Sequence, residues 1–252
     1  MFRFGHLSRL LLVAAGVSGC DSPPQITEPA KSPLEELVAL AINEDQALGG
    51  IPFPLLVRTA TGHEVIALDP AVPADKALIT AIEASLEEVI AELNLPNSPV
   101  RKEKRINEVS RHFEDALLIH LNAQPDIACE IPTTLAGEHQ RSGYPDLLIR
   151  HVPTGQVAYL DPKLVASGSL NSSLRTFYFT PKGETNKINR EAHHLLVGIE
   201  HDGAVGAWTF LRWHLVDLSS LTVRLKAEFQ ASNRDLYQTT TSDVAPESET
   251  QP

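Results

Sequence analysis

After residue 126 the chain abandons the helical period. Short apolar runs follow one another, Ile127–Ile131, Leu147–His151, Gln156–Lys163, Leu174–Thr180, Leu195–His201 and Ala207–Val216, separated by turn-formers such as Gly143–Tyr144–Pro145–Asp146 and Pro153–Thr154–Gly155. Runs of that length between breakers predict strands. Two long segments with a 3.6-residue period come first. Residues 74–93 place Leu78, Ile79, Ile82, Leu86, Val89, Ile90 and Leu93 on one face, and about Glu103 to Asn122 places Val109, Phe113, Ala116, Leu117 and His120 on another. Helices followed by a hairpin-rich sheet predict an α/β (α+β) fold, and no internal repeat competes with it. With 252 residues, 42% of them hydrophobic, the chain can bury one sizeable core or two small ones.

The charge is unevenly spread. The formal net charge is -11, but residues 21–100 carry 13 acids against 3 Lys/Arg, whereas residues 101–240 carry 16 of each. The average therefore excludes a surface that is basic all over. It leaves room for a local basic face and a polyanionic substrate.

The N-terminus has the layout of a secretory signal. Arg3 and Arg9 precede the apolar run Leu10–Ala15, and Val17–Ser18–Gly19 leads into Cys20, an ending that resembles a bacterial lipobox with Val in the usual Leu position. The apolar run is too short to span a bilayer as a mature helix. Residues 1–19 are thus expected to be a lipoprotein signal peptide and Cys20 the lipidated residue. Asp21 after that cysteine leans towards retention at the periplasmic face of the inner membrane. Cys129 would then be the one remaining thiol, which excludes an intrachain disulfide and a cysteine metal cluster. Residues 20–32 read as a Pro-rich linker, residues 33–100 as an acidic, mostly helical N-terminal region, residues 101–238 as the main domain, and residues 239–252 as a disordered acidic tail. Within the N-terminal region Ser32 and Pro33 open a helix, and Leu55–Val57 and Glu64–Leu68 around Thr61–Gly62 predict a hairpin. Residues 222–229 alternate like a half-exposed strand.

The chemistry concentrates in one hairpin. Pro145–Asp146 opens one strand, Asp161–Pro162–Lys163 closes the next, and the Pro153–Gly155 turn lies between them. Residues two apart share a face of a strand, so Asp161 and Lys163 point the same way, and the turn can bring Asp146 back beside them. Two close carboxylates suit a hard divalent cation, Mg²⁺ or Mn²⁺. A lysine beside it can position or deprotonate water and balance charge on a pentavalent phosphorane.

These residues resemble the PD-(D/E)XK nuclease superfamily, over roughly Arg101 to Asp217. The resemblance implies a restriction-endonuclease-like mixed β-sheet flanked by helices, with an N-terminal helical extension in this chain. It implies a Mg²⁺-dependent nuclease cutting phosphodiester bonds, of DNA ahead of RNA. Carried over, Asp146 and Asp161 would be metal ligands and Lys163 the catalytic base or charge stabiliser. The acid of the preceding helix would be Glu108, with Glu114 as second choice. Pro162 departs from the usual apolar middle residue, and its missing N–H demands an edge or a bulge. Arg175, Lys182, Lys187 and Arg190 around Phe177–Tyr178–Phe179 would grip backbone phosphates, or else flank a half-buried strand. His193, His194 and His201 have no zinc-site spacing. Two classes stay open: a membrane-anchored, metal-dependent nuclease, and a non-catalytic lipoprotein binding or scaffold module with a nuclease-like fold.

Overall fold

The computed structural model describes residues 32–43, 48–173, 177–181 and 183–237. Signal peptide, Cys20, Arg175, Lys182 and the 239–252 tail all lie outside these. Helix α1 (Pro33–Ile42) begins at a reciprocal cap, in which Glu35 N–H donates to Ser32 Oγ (3.2 Å) and Ser32 N–H donates to Glu35 Oε2 (2.7 Å). Among the described residues no helix is long and apolar enough to cross a membrane.

From residue 48 onwards the elements are β1 (Ile51–Pro52), α2 (Phe53–Thr61), β2 (Val65–Ile66), α3 (Pro73–Leu93), α4 (Ile106–Ala123), β3 (Ile127–Glu130), β4 (Leu147–His151), β5 (Gln156–Ala166), β6 (Ala192–His201), β7 (Phe210–Asp217), β8 (Thr222–Val223) and α5 (Asn233–Tyr237). The main sheet runs β2–β6–β5–β4–β3, with β7 sharing the free side of β6 with β2. β5 and β2 lie parallel to β6, and the β3–β4, β4–β5 and β6–β7 pairs are antiparallel. The expected restriction-endonuclease-like α+β architecture, a mixed sheet flanked by helices, is the one observed.

Strand alternation sorts the core into two faces. Leu147, Ile149, Ala158, Leu160, Leu195, Val197 and Ile199 face α3 and α4, packing with Leu78, Ile82, Leu86, Val109, Phe113 and Leu117. The opposite parity, Leu148, Val157 and Tyr159, packs with Phe53, Val57, Tyr144, Ile188 and Leu218. The first face joins the 73–93 helix to the 106–123 helix, so the core runs straight across residue 100, where the sequence suggests a division.

Four local expectations are corrected. The hairpin around Thr61–Gly62 is helix α2 followed by a short strand: Pro54 starts the helix and Gly62, at φ 76°, caps it by donating to the Arg58 carbonyl. Residues 177–180 of the Leu174–Thr180 run adopt no regular structure, and only Thr222–Val223 of 222–229 pairs as a strand. His120 leaves the buried stripe to Leu121 and binds Glu88 and Glu92 on the helix flank.

Candidate active site

The β4–β5 register brings the expected residues together. Leu147 pairs with Leu160, so the next step outward sets Asp146 opposite Asp161, on the Tyr159 face of the sheet. β4 starts at Leu147, which leaves β5 with one neighbour, β6, from Asp161 onwards. Pro162 sits in that edge segment, where its missing N–H interrupts no β4–β5 ladder.

Lys163 Nζ lies 2.6 Å from Asp161 Oδ2 and 3.4 Å from Asp146 Oδ2, which bounds the separation of the two carboxylate oxygens at about 6 Å, the sum of the two distances. Only the Asp146 contact has hydrogen-bond alignment. Asp161 Oδ2 therefore remains a buried oxygen without a hydrogen-bond donor, although the ammonium is close by. Burial raises the Asp161 pKa to about 7 and Asp146 adds to the rise, against the pull of Lys163. Burial works against the charge of Lys163, but Asp161 and Asp146 together hold its pKa above the ordinary lysine value.

Of the two acids considered on this helix, Glu114 lies beside the cluster and Glu108 does not line its cleft. Glu108 lies exposed in the first turn of α4. Glu114 is six residues on, about 9 Å further along the axis and about 240° around it, on the flank that reaches the open end of β4. It lines a cleft with Arg141 and Asp146, and its pKa is raised to about 7 by burial and by Asp146. Arg141 leans on the same helix, 2.6 Å from Asp115 and 3.9 Å from Glu114. Leu118 and Ile131 of the cleft lining also border an open groove of about 360 Å³, together with Thr133 and His139.

The approach to Asp146 is braced on the Tyr159 face of the sheet. Tyr144 is buried against Phe53, Phe177 and Phe179, at ring-centroid distances of 5.8, 5.2 and 5.9 Å, and its hydroxyl donates to His194 Nδ1 at 2.7 Å. Burial, with a smaller contribution from His193, lowers the His194 pKa to about 3, so the ring is neutral and can accept that bond. His193 is a buried sheet residue held by Gln156 and the Ile66 carbonyl. Arg190, proposed from sequence to hold phosphates, bonds Asn189 Oδ1. Lys187 is not on the surface but fully buried, within electrostatic reach of Asp146, Asp161 and Glu114. A lysine in a short polar stretch gives no periodic signal, so its burial could not be read from sequence.

The donor set suits a hard divalent cation. A buried carboxylate oxygen paired with Lys163 but without an aligned hydrogen bond, and two acids pushed to about 7, are features that a cation would relieve. No three His, Cys, Asp or Glu side chains converge as a metal group among the described residues, so Asp146 and Asp161 are the side-chain donors on offer. A model of the type II restriction enzyme MjaV family matches residues 47–240. The type II restriction enzyme MjaV of Methanocaldococcus jannaschii is 31% identical over 217 residues, covering 82% of this chain and 94% of that protein. With most of its length matched in both comparisons, the chain belongs to the type II restriction enzyme MjaV family.

Proposed function

We propose that this protein hydrolyses phosphodiester bonds of duplex DNA in a Mg²⁺- or Mn²⁺-dependent reaction centred on Asp146, Asp161 and Lys163, with Glu114 as the helix acid. The observation that carries the reading is one ammonium set 2.6 Å from Asp161 and 3.4 Å from Asp146 beside a cleft. Family membership supports DNA as the substrate class. Asp146 and Asp161 would hold the cation, whose chemistry is to acidify a water and to neutralise phosphate charge. Lys163, paired with both aspartates, would balance charge on the phosphorane oxygens or position the attacking water. Asp146 orients that ammonium through its hydrogen bond. The braced Tyr144–Asp146 turn keeps the carboxylate in place.

Purified protein given linear and circular duplex DNA should cleave it with Mg²⁺ or Mn²⁺ and stop in chelator. If no cation supports cleavage, the non-catalytic binding or scaffold reading takes its place.

The same proposal includes a membrane anchor. Residues 1–19 would be removed, Cys20 acylated, and residues 20–32 would hold the enzyme off the periplasmic face of the inner membrane. The charged, apolar and small-residue order of the leader supports this, and the family match begins after it, at residue 47. Cys20→Ser should abolish fatty-acid labelling and release the protein from membranes; unchanged labelling and fractionation would remove the anchor from the proposal.

A further inference from the structure

The Tyr159 face of the sheet continues past Asp161 and Lys163 onto β6 and β7. Lys163 pairs with Gly198, and Gly198 with His214; two residues along, Glu200 pairs with Arg212. Strand alternation puts Gly198, Glu200, Arg212 and His214 on that face, because Val197 and Ile199 belong to the opposite core. Phe210 stands opposite His201, so Leu211 is an extra residue beside Arg212, a bulge of the kind that re-aims side chains at sheet edges. One carboxylate organises the group: His214 Nε2 hydrogen-bonds Glu200 Oε1 at 2.7 Å, and Arg212 Nε lies 3.0 Å from the same oxygen. The Glu200 side chain is 2% exposed and that of Arg212 63%. The acid is thus turned inwards, and the guanidinium, paired through Nε, offers its terminal N–H groups to solvent. Between this group and Lys163 the sheet is bare. A side-chain carbon at position 198 would meet nothing within 4 Å, so a lane about 10 Å wide, two strand spacings, separates the backbones at Lys163 and His214. Glycine inside a strand costs stability, and it marks places where a ligand approaches the backbone closely.

We propose that Arg212 grips a backbone phosphate of the DNA strand being cut, that Glu200 and His214 hold the guanidinium for it as positioning residues, and that the strand reaches Lys163 across Gly198. This rests on the DNA-cleaving reading above and assigns the path of its substrate. A guanidinium fixed through Nε still presents a planar pair of donors that matches two phosphate oxygens. Holding it on a buried carboxylate reduces the side-chain freedom lost on binding. An ion pair with one partner this exposed contributes little to stability, so bracing β7 does not account for the cluster. Two strand spacings across and two residues along set the Arg212 backbone about 12 Å from that of Lys163, a few nucleotides at the rise of about 3.4 Å per step of one strand. A contact there fixes the register of the strand on the enzyme and leaves the reading of bases to other groups.

The test is binding of the full chain to a short duplex of arbitrary sequence, in chelator so that nothing is cut, over a series of salt concentrations. Each phosphate contact contributes about 0.9 to the slope of log affinity on log salt. Arg212→Gln should therefore lower the slope by about 1 and weaken binding about fivefold or more near 0.1 M salt. Lys76→Gln removes the same charge from α3, which packs on the opposite face, and should keep the wild-type slope. Gly198→Val has room for its side chain and suits a strand, so it should melt as wild type does, yet it stands in the lane and should weaken DNA binding about tenfold. An unchanged slope in Arg212→Gln, or an equal fall in Lys76→Gln, would overturn the proposal. Folded Gly198→Val with wild-type affinity would overturn it too, and if that variant does not fold, Gly198→Ser is held to the same criterion. Cleavage of the duplex with Mg²⁺ is scored separately. Cleavage by wild type with no change of slope in Arg212→Gln removes the grip and leaves the catalytic reading, whereas a changed slope without any cleavage leaves the grip and removes the catalysis.

Discussion

Strand β5 carries two buried carboxylate sites, and they are built on opposite principles. At its start Gln156 bridges Asp75 and His193: its amide donates to Asp75 Oδ1 and to His193 Nε2, while His193 Nδ1 donates to the Ile66 carbonyl and Asp69 N–H donates to Asp75 Oδ2. Every oxygen of Asp75 has a donor, and the group ties α3 to β2, β5 and β6. Five residues along, Asp161 has an oxygen without a hydrogen-bond donor, a second carboxylate within about 6 Å and a pKa raised to about 7. Both residues are 2% exposed or less. Burial alone does not mark function; unrelieved charge does.

The comparison breaks first on activity. Asp161→Ala and Lys163→Ala should each lower DNA cleavage by about a hundredfold or more, the size expected when a charge that stabilises the transition state is removed. Asp75→Ala should leave the rate per folded molecule within about threefold of wild type. Single-turnover rates on a defined duplex decide this. Wild-type rates in both catalytic variants would show that the raised pKa marks strain without chemistry.

Stability should show the reverse order. Asp75→Ala strands the buried Gln156 amide and the Asp69 N–H and should cost about 2–3 kcal/mol of unfolding free energy. Asp161→Asn removes a carboxylate whose charge burial and Asp146 disfavour, against the pull of Lys163, so it should leave the melting temperature unchanged or raise it. Denaturant melts of the two variants beside wild type measure the contrast. A larger loss for Asp161→Asn would mean that its ion pair with Lys163 outweighs the repulsion from Asp146.

How much of this was legible follows from how local each signal is. Asp146, Asp161 and Lys163 sit on one hairpin, so strand alternation and a single turn suffice to bring them together. Glu114 required knowing how α4 crosses the sheet, because Glu108 and Glu114 both flank the apolar stripe and the sequence does not say which flank meets β4. Lys187 depends on the 131–143 connection folding over residues 186–188, a contact between two segments without period. The same limit explains α2. A short amphipathic stretch before Gly62 reads equally as a strand and as a helix, and Phe53 is drawn into the helix by its packing on Tyr144 and Phe177.

The active site should also respond to pH. Asp161 and Glu114 have folded values of about 7, above their ordinary 3.8 and 4.5. For acids raised in this way the native state holds protons that the unfolded chain releases, so their contribution is complete below about pH 4 and is lost as pH rises towards 7. Without added cation the melting temperature should therefore fall between pH 4 and pH 7. Asp161→Asn and Glu114→Gln should each flatten the fall. An unchanged slope in both active-site variants would contradict the raised values.

The smallest effect belongs to His120, which joins α4 to α3 by bonding Glu88 at 2.8 Å through Nδ1 and Glu92 at 2.7 Å through Nε2. Both ring nitrogens face carboxylates, so the imidazolium form is the one that satisfies them. Burial opposes the charge, but the hydrogen bonds to Glu92 and Glu88 together raise the His120 pKa above 6.5. For a base raised in this way the added stability is complete below the unfolded value and disappears as pH rises through the folded one. The two glutamates are 52% and 53% exposed at their side chains, so solvent screens the pair. His120→Gln should thus cost about 0.5 kcal/mol near pH 6 and nothing measurable near pH 9. High salt should shrink the pH 6 cost, whereas the Asp75 network, closed to solvent, should keep its full value in the same salt. A salt-independent cost at His120 would mean that the ring holds α3 to α4 by packing and not by charge.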